Sequence, residues 1–326
     1  MNRLVIIIVT SLLIFSCDVE PKNQIVSGPI FGTSFSIQYY SDNNLDFEKQ
    51  FDSLFYVINK SLSTYQTNSI ISKINRNEII RVDEHFIKVF EASKNIHKET
   101  LGAFDPTIGV LVNAWDFGPE GKVVSLDSLK IDSLKQYVGI NKVTLLNYKI
   151  EKPNNSFIDF NAIAKGYTVD VIAEFLESKH IENYLVEIGG ELRAKGINIE
   201  KRNTWKVGVE TPRFDGEQSI FKAISLNNEA MATSGTYRKF KVDEQGNRYA
   251  HIIDTKTGYP SKTNLLSISV IAKDCMTADA YATAFKAMGL DMVKAFLRAH
   301  LELKVFLIFE NESNEMMTLS INNFPE

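Results

Sequence analysis

The chain has 326 residues, 44% of them apolar and 23% charged, the balance of a globular protein with a substantial core and not of a disordered or collagen-like one. Lys and Arg number 36 against 40 Asp and Glu, a net charge of −4 that argues against nucleic acid as a partner. Cys17 and Cys275 are the only cysteines, which excludes a zinc site built from cysteines.

Taken in chain order, the first signal is Arg3 followed by an apolar run from Leu4 to Phe15, broken only by Thr10 and Ser11 and closed by Ser16-Cys17. The run is too short for a comfortable transmembrane helix and has the pattern of a signal peptide. Its end resembles a bacterial lipobox, although Phe15 is bulkier than usual there. Residues 1–16 are therefore expected to be removed and Cys17 lipidated, leaving an exported chain anchored to the bacterial cell membrane and facing the periplasm. An uncleaved anchor is the alternative, and it also leaves the rest outside the cytoplasm. Residues 17–27 then read as the lipidated cysteine with a polar tether, and 28–326 as the folded domain.

Ser34 to Tyr40 alternates as a strand, and Phe47, Phe51, Leu54, Phe55 and Ile58 recur at the spacing of a helix over Leu45 to Leu62. The polar turn from Ser63 carries one aromatic, Tyr65, a residue that in isolation reads as core more often than as a ligand-stacking ring, and leads into a short helix near Asn75. His85 to Thr100 predicts another amphipathic helix. Asp105-Pro106-Thr107 is a turn signal. A helix is expected around Leu126 to Tyr137, with strands around Val143 to Tyr148 and Phe157 to Phe160.

The densest stretch is Asp159 to Gly196. Asp159 and Asn161 favour a helix start, and Ile163, Tyr167, Val171, Ile172, Phe175 and Leu176 mark a helix over Ala162 to Ser178. Strands at Tyr184 to Ile188 and Glu191 to Gly196 flank Gly189-Gly190, so a hairpin follows directly. Lys165 lies in the first helical turn, against the macrodipole, a conflict of roughly 0.3–1 kcal/mol that an anionic ligand would resolve. A simple cap and a solvated lysine would give the same pattern. Strands are expected at Trp205 to Glu210, Phe221 to Leu226, Leu265 to Ala272, Leu303 to Phe309 and Met317 to Ile321. In the helix expected over Cys275 to Gly289, Asp279 and Thr283 are one turn apart on one face, hard oxygen ligands of the kind magnesium takes, or simply a solvated face.

Together Gly32-Thr33, Ser63 to Asn75, Ala103-Phe104-Asp105-Pro106-Thr107, Asp159 to Gly166, Gly189-Gly190-Glu191, Thr233-Ser234-Gly235, His251 to Pro260 and Ala278-Asp279 to Thr283 occur in one order that resembles the ApbE family of FAD:protein FMN transferases. The resemblance covers nearly everything after the tether. It implies a two-lobed α+β fold, related to the T-fold, of antiparallel sheets and flanking helices with FAD in the cleft between lobes. It implies Mg²⁺ held by the Ala162 carbonyl, Asp279 and Thr283, and flavin contacts at Phe31, Tyr65, Ala103, Phe104, Asp105, Asp159, Lys165 and Ile253. The implied reaction moves FMN from FAD to a threonine of a partner protein and releases AMP, the partners being acceptor flavoprotein subunits of membrane-bound redox complexes. Lys165 and Asp279 would serve the diphosphate, and His251 would be the base, unless it is a structural imidazole. Hydrolysis of FAD to FMN and AMP, or FAD binding without turnover, are the other outcomes the same residues allow. Phe31 stands where the family usually has methionine, and Thr255 where proline is common.

Overall fold

The computed structural model describes residues 21–42, 45–121, 126–237, 240–242 and 248–326; the expected signal peptide and Cys17 lie outside these. In chain order the elements are β1 (Lys22–Ile30) and β2 (Thr33–Ser41), then α1 (Glu48–Leu62), α2 (Ile70–Asn75) and α3 (Glu84–Glu99). Next come α4 (Gly109–Ala114), α5 (Ser128–Lys135), β3 (Thr144–Leu146) and β4 (Lys149–Glu151). The central segment supplies α6 (Ala164–Ser178), β5 (Tyr184–Ile188), β6 (Glu191–Lys195), β7 (Ile197–Asn198), β8 (Asn203–Glu210), β9 (Ile220–Leu226) and β10 (Ala230–Gly235). The chain ends with β11 (Phe240–Val242), β12 (Arg248–Ala250), β13 (Leu265–Ala272), α7 (Cys275–Met288), α8 (Leu290–Leu297), β14 (Lys304–Glu310) and β15 (Met316–Ile321).

Eight strands form one sheet in the order β1-β2-β5-β6-β10-β13-β14-β15, with every neighbouring pair antiparallel. The fold is thus the α+β type with antiparallel sheet that the sequence implies. Side-chain alternation divides the sheet's two faces between separate cores. Ile37 and Tyr39 of β2 and Tyr184, Val186 and Ile188 of β5 pack with Phe51 and Phe55 of α1 and Ile172 and Leu176 of α6. Val270 of β13 and Val305 and Leu307 of β14 meet Phe285 of α7 and Phe90 of α3 on that same helical side. The intervening residues Met231, Ile271, Phe306 and Ile308 face the other way, against Trp205, Val207 and Ile224 of the three-stranded sheet β7-β8-β9. A smaller cluster of Leu111, Ile131 and Ile253 ties α4 and α5 to the 251–260 segment.

Three readings of the sequence need correction. Residues 22–27, expected within the tether, form most of β1, paired along its length with β2. Phe157 to Phe160 is not a strand but a buried connection whose only bridge among the described residues is Ile108 to Phe157; the Asn75 side chain does the work of a partner strand, accepting from Ile158 N at 2.8 Å and donating to Ile158 O at 2.8 Å. Helix α8 is additional to the expected elements.

Candidate active site

The site grows from the start of α6. Asp159, nearly buried, accepts from the backbone N–H of Asn161 at 2.7 Å and from its side-chain amide at 3.1 Å, fixing the turn that carries Ala162. Its own N–H donates to Pro106 O at 2.7 Å, so the 102–107 loop is held against the same turn. Lys165 then pairs with Glu191, the first residue of β6. That pairing depends on the tight Gly189-Gly190 turn, where φ is 63° and 101°, in the left-handed region that favours glycine. A Cβ at Gly189 would also lie 2.9 Å from Thr33 Cγ2, at the tip of the β1–β2 hairpin beside Phe31. The start of α6 is thus tied to the 102–107 loop through Asp159 and, through Lys165 and Glu191, to the glycine turn that abuts the β1–β2 hairpin. The charge conflict expected there is met within the protein, by the Glu191 carboxylate.

Helix α7 enters from the other side. Asp274 caps it, accepting from Thr277 N at 2.8 Å, and Asp170 of α6 reaches across to Cys275 N at 2.9 Å and Met276 N at 2.8 Å. Arg193 of β6 donates to Asp170 at 2.9 Å; burial nevertheless lifts the Asp170 carboxyl to about 6 against the pull of these donors. One turn into α7, Asp279 accepts from Gly166 N at 3.0 Å. A Cβ on Gly166 would sit 2.3 Å from Cys275 O and 2.8 Å from Asp279 Cβ, so the two helices approach this closely only because that residue is glycine. Burial first, and then the neighbouring Glu191 carboxylate, push Asp279 up to about 7, with Lys165 and the Gly166 amide opposing. Thr283 lies a further turn along, its hydroxyl 3.3 Å from Ser234 at the end of β10.

Two buried carboxylates thus share one lysine, and Glu191 Oε2 has no hydrogen-bond partner among the described residues. An oxygen-seeking cation fits this deficit. Ala162, four residues before the Gly166 amide that Asp279 accepts from, together with Asp279 and Thr283 offers a hard-oxygen donor set. Among the described residues no group of three or more His, Cys, Asp or Glu could hold an ion unaided, so a bound cation would draw its other ligands from phosphate and water.

The remaining expected residues form a second wall. Both oxygens of Asp105 are engaged: Oδ1 accepts from Thr107 N at 2.8 Å and Thr107 Oγ1 at 2.6 Å, Oδ2 from Ile140 N at 3.1 Å, and His97 Nδ1 lies 3.3 Å away. Asp105 and the buried Phe104 therefore shape the loop that carries the partly exposed Ala103. Tyr65 is exposed, its hydroxyl 3.4 Å from Phe117 O, and its phenol is held above the usual range by partial burial and by the charge of Asp159. Phe117 meets the His251 ring edge-on at 6.2 Å. Tyr65 and Phe117 in this way connect the α6 entrance to His251. Ile253 is buried and bridges to Pro260, while Thr255 Oγ1 donates to Gly102 O at 2.6 Å, joining the 251–260 segment to the 102–107 loop. A hollow of about 1150 Å³ opens beyond this segment, and none of the expected site residues lines it. The buried charge is concentrated instead at the carboxylate–lysine cluster of Lys165, Glu191 and Asp279.

Sequence reasoning named neither Glu191 nor Gly166 as site residues. Both stood inside recognised motifs; their roles depend on partners 26 and 113 positions away.

The chain matches the model of the ApbE family over residues 31–307. It is 36% identical to the FAD:protein FMN transferase of Haemophilus influenzae, across 99% of this chain and 96% of that protein. To the FAD:protein FMN transferase of Vibrio cholerae it is 34% identical, across 96% of this chain and 95% of that protein. The solved flavin transferase ApbE from Vibrio cholerae superposes with a TM-score of 0.82 at 33% identity, covering 92% of this chain and 97% of its own.

Proposed function

We propose, from the premise that this chain belongs to the ApbE family, that it is an FAD:protein FMN transferase whose reaction centre is the Lys165–Glu191–Asp279 cluster. An acceptor hydroxyl, which we assign to a threonine, attacks the FMN phosphorus of FAD. A new P–O bond forms, the P–O bond of the diphosphate breaks, and AMP leaves with the electron pair. Lys165, at the start of α6, is placed to neutralise a diphosphate oxygen, and Glu191 fixes its position. Mg²⁺, held by the Ala162 carbonyl, Asp279 and Thr283, would supply Lewis-acid charge neutralisation on the diphosphate. His251 is assigned as the base that takes the hydroxyl proton. Phe31, Tyr65, Ala103 and Asp159 are assigned to the surface facing the flavin nucleotide, with Phe104, Asp105 and Ile253 anchoring the loops around it.

The observation that carries this reading is the buried pair of carboxylates, Glu191 and Asp279, beside a single lysine, a charge deficit that a bound cation relieves. Incubating the protein with FAD, Mg²⁺ and an acceptor, then measuring AMP and acceptor mass, tests it. AMP with an FMN adduct supports transfer; AMP without an adduct would make the enzyme a hydrolase. Asp279→Ala should lower turnover by at least about 10²-fold with the fold retained. In the same assay His251→Asn should still bind FAD and lose about 10²–10⁴-fold in transfer, together with the acid limb of the pH profile.

We also propose that the protein works on the outer side of the cell membrane, anchored through lipidated Cys17, on acceptor subunits of membrane-bound redox complexes. The arrangement of Arg3, the apolar run and Cys17 supports this. Cys17→Ser should release the protein from the membrane fraction; retention there would remove the anchor assignment.

A further inference from the structure

The hollow beside the 251–260 segment is not accounted for by the flavin and metal residues. At about 1150 Å³ it exceeds the roughly 300–1,000 Å³ of most small-molecule pockets. Its walls are aromatic: Trp115 lies 5.8 Å from both Tyr249 and Tyr259, and Phe214 meets Phe240 edge-on at 5.7 Å. The Arg248 guanidinium stands over these last two rings, 4.8 Å from Phe214 and 5.5 Å from Phe240. Lys241 and Lys262 add positive charge, and Asp116, the only carboxylate among the described residues that line the hollow, is already paired with Lys241. A cationic groove in a chain of net charge −4 is a local feature that selects for an acidic ligand.

Two further observations indicate what kind of ligand. Strands β11 and β12 pair only with each other among the described residues, so each has an outer edge of main-chain donors and acceptors to which an extended polypeptide can add. The groove is also joined along the chain to residues assigned to the reaction, at two points. Ala250 lines it and is followed by His251; Thr236 lines it, two residues after Ser234, which touches Thr283.

We propose that this groove docks an extended, acidic segment of the acceptor polypeptide and leads its hydroxyl residue to His251. The proposal rests on the transferase reading. Aromatic walls receive the apolar side chains of the segment, Arg248 and Lys262 its carboxylates, and the β11–β12 edge its backbone.

The test uses the full chain with FAD, Mg²⁺ and two synthetic peptides, each with one threonine, identical except that one carries glutamates where the other carries glutamines. The glutamate peptide should gain the FMN mass with a kcat/KM at least about tenfold higher, a preference that high salt erases. In Arg248→Glu that preference should vanish or invert through the peptide KM, with the FAD dissociation constant within about twofold of the parent. Arg248→Gln, which adds no new charge, should give the same change in weaker form if the reversal impairs folding. Equal use of both peptides, or no peptide modification while AMP is still released, overturns the docking site. A loss of FAD affinity in the Arg248 variants would assign the hollow to the flavin nucleotide instead. Absence of AMP under all conditions would overturn the transferase reading itself, a separate outcome.

Discussion

At the residue scale the most exposed prediction concerns a group the reaction does not use. Lys286 has no solvent exposure, and among the described residues its ammonium donates only to Thr263 Oγ1, at 2.6 Å. Burial lowers its pKa from 10.5 to about 8. Below pH 8 the folded and unfolded chains both hold the proton, and the folded state bears the full penalty of a buried charge. Between pH 8 and 10.5 the folded chain has released the proton while the unfolded chain keeps it, so stability rises with pH across that window. Lys286→Met should abolish that rise and stabilise the protein at pH 7 by on the order of 3 kcal/mol. Urea unfolding at pH 7 and pH 10 checks both; parallel pH curves for the two proteins would show that the ammonium is not desolvated. Such a residue could not be found in the sequence, where Lys286 looks like any helical lysine. Lys165 was legible because its conflict with the helix dipole is local, whereas Glu191 declares itself only when β6 folds back beside α6.

Among the elements, the helices were readable because their three-and-four apolar spacing survives one-sided burial, as in α1 and α3. Strand β1 was hidden because it lies at the sheet edge, alternating between exposed and half-buried positions with few apolar residues to mark the inner side. Phe157 to Phe160 misled for the opposite reason: a strongly apolar segment has its backbone partner supplied by the side chain of Asn75. The pairing of α6 with α7 is where element geometry sets the site, and Gly166 is its contact point. Gly166→Ala should drive the helices apart, destabilise the fold by about 1–3 kcal/mol, and weaken Mg²⁺-dependent turnover by more than that loss of stability explains. Differential scanning calorimetry beside the AMP assay separates these effects; an unchanged melting temperature would mean that the helices have room to spare.

Seen whole, the molecule is one antiparallel sheet with a helical core on one face and a second sheet on the other, and the Lys165–Glu191–Asp279 cluster lies where the helical side meets the sheet's turns. Its overall class followed from motif order, since each turn that builds the site is a short, recognisable string. The groove did not, because its walls come from segments without a shared pattern. Asp170 closes on Cys275 across 105 positions and Gly166 on Asp279 across 113. Loops of that length are closed late, after local helices and hairpins have formed. Flavin and metal would then find no foothold in the folding transition state, and their contribution would fall on the return path. FAD with Mg²⁺ should slow unfolding in stopped-flow experiments while leaving the refolding rate in water unchanged. Faster refolding with the nucleotide present would mean that the α6–α7 closure is part of the nucleus. Otherwise the ligand acts as a latch on a finished protein, lengthening its life without helping to make it.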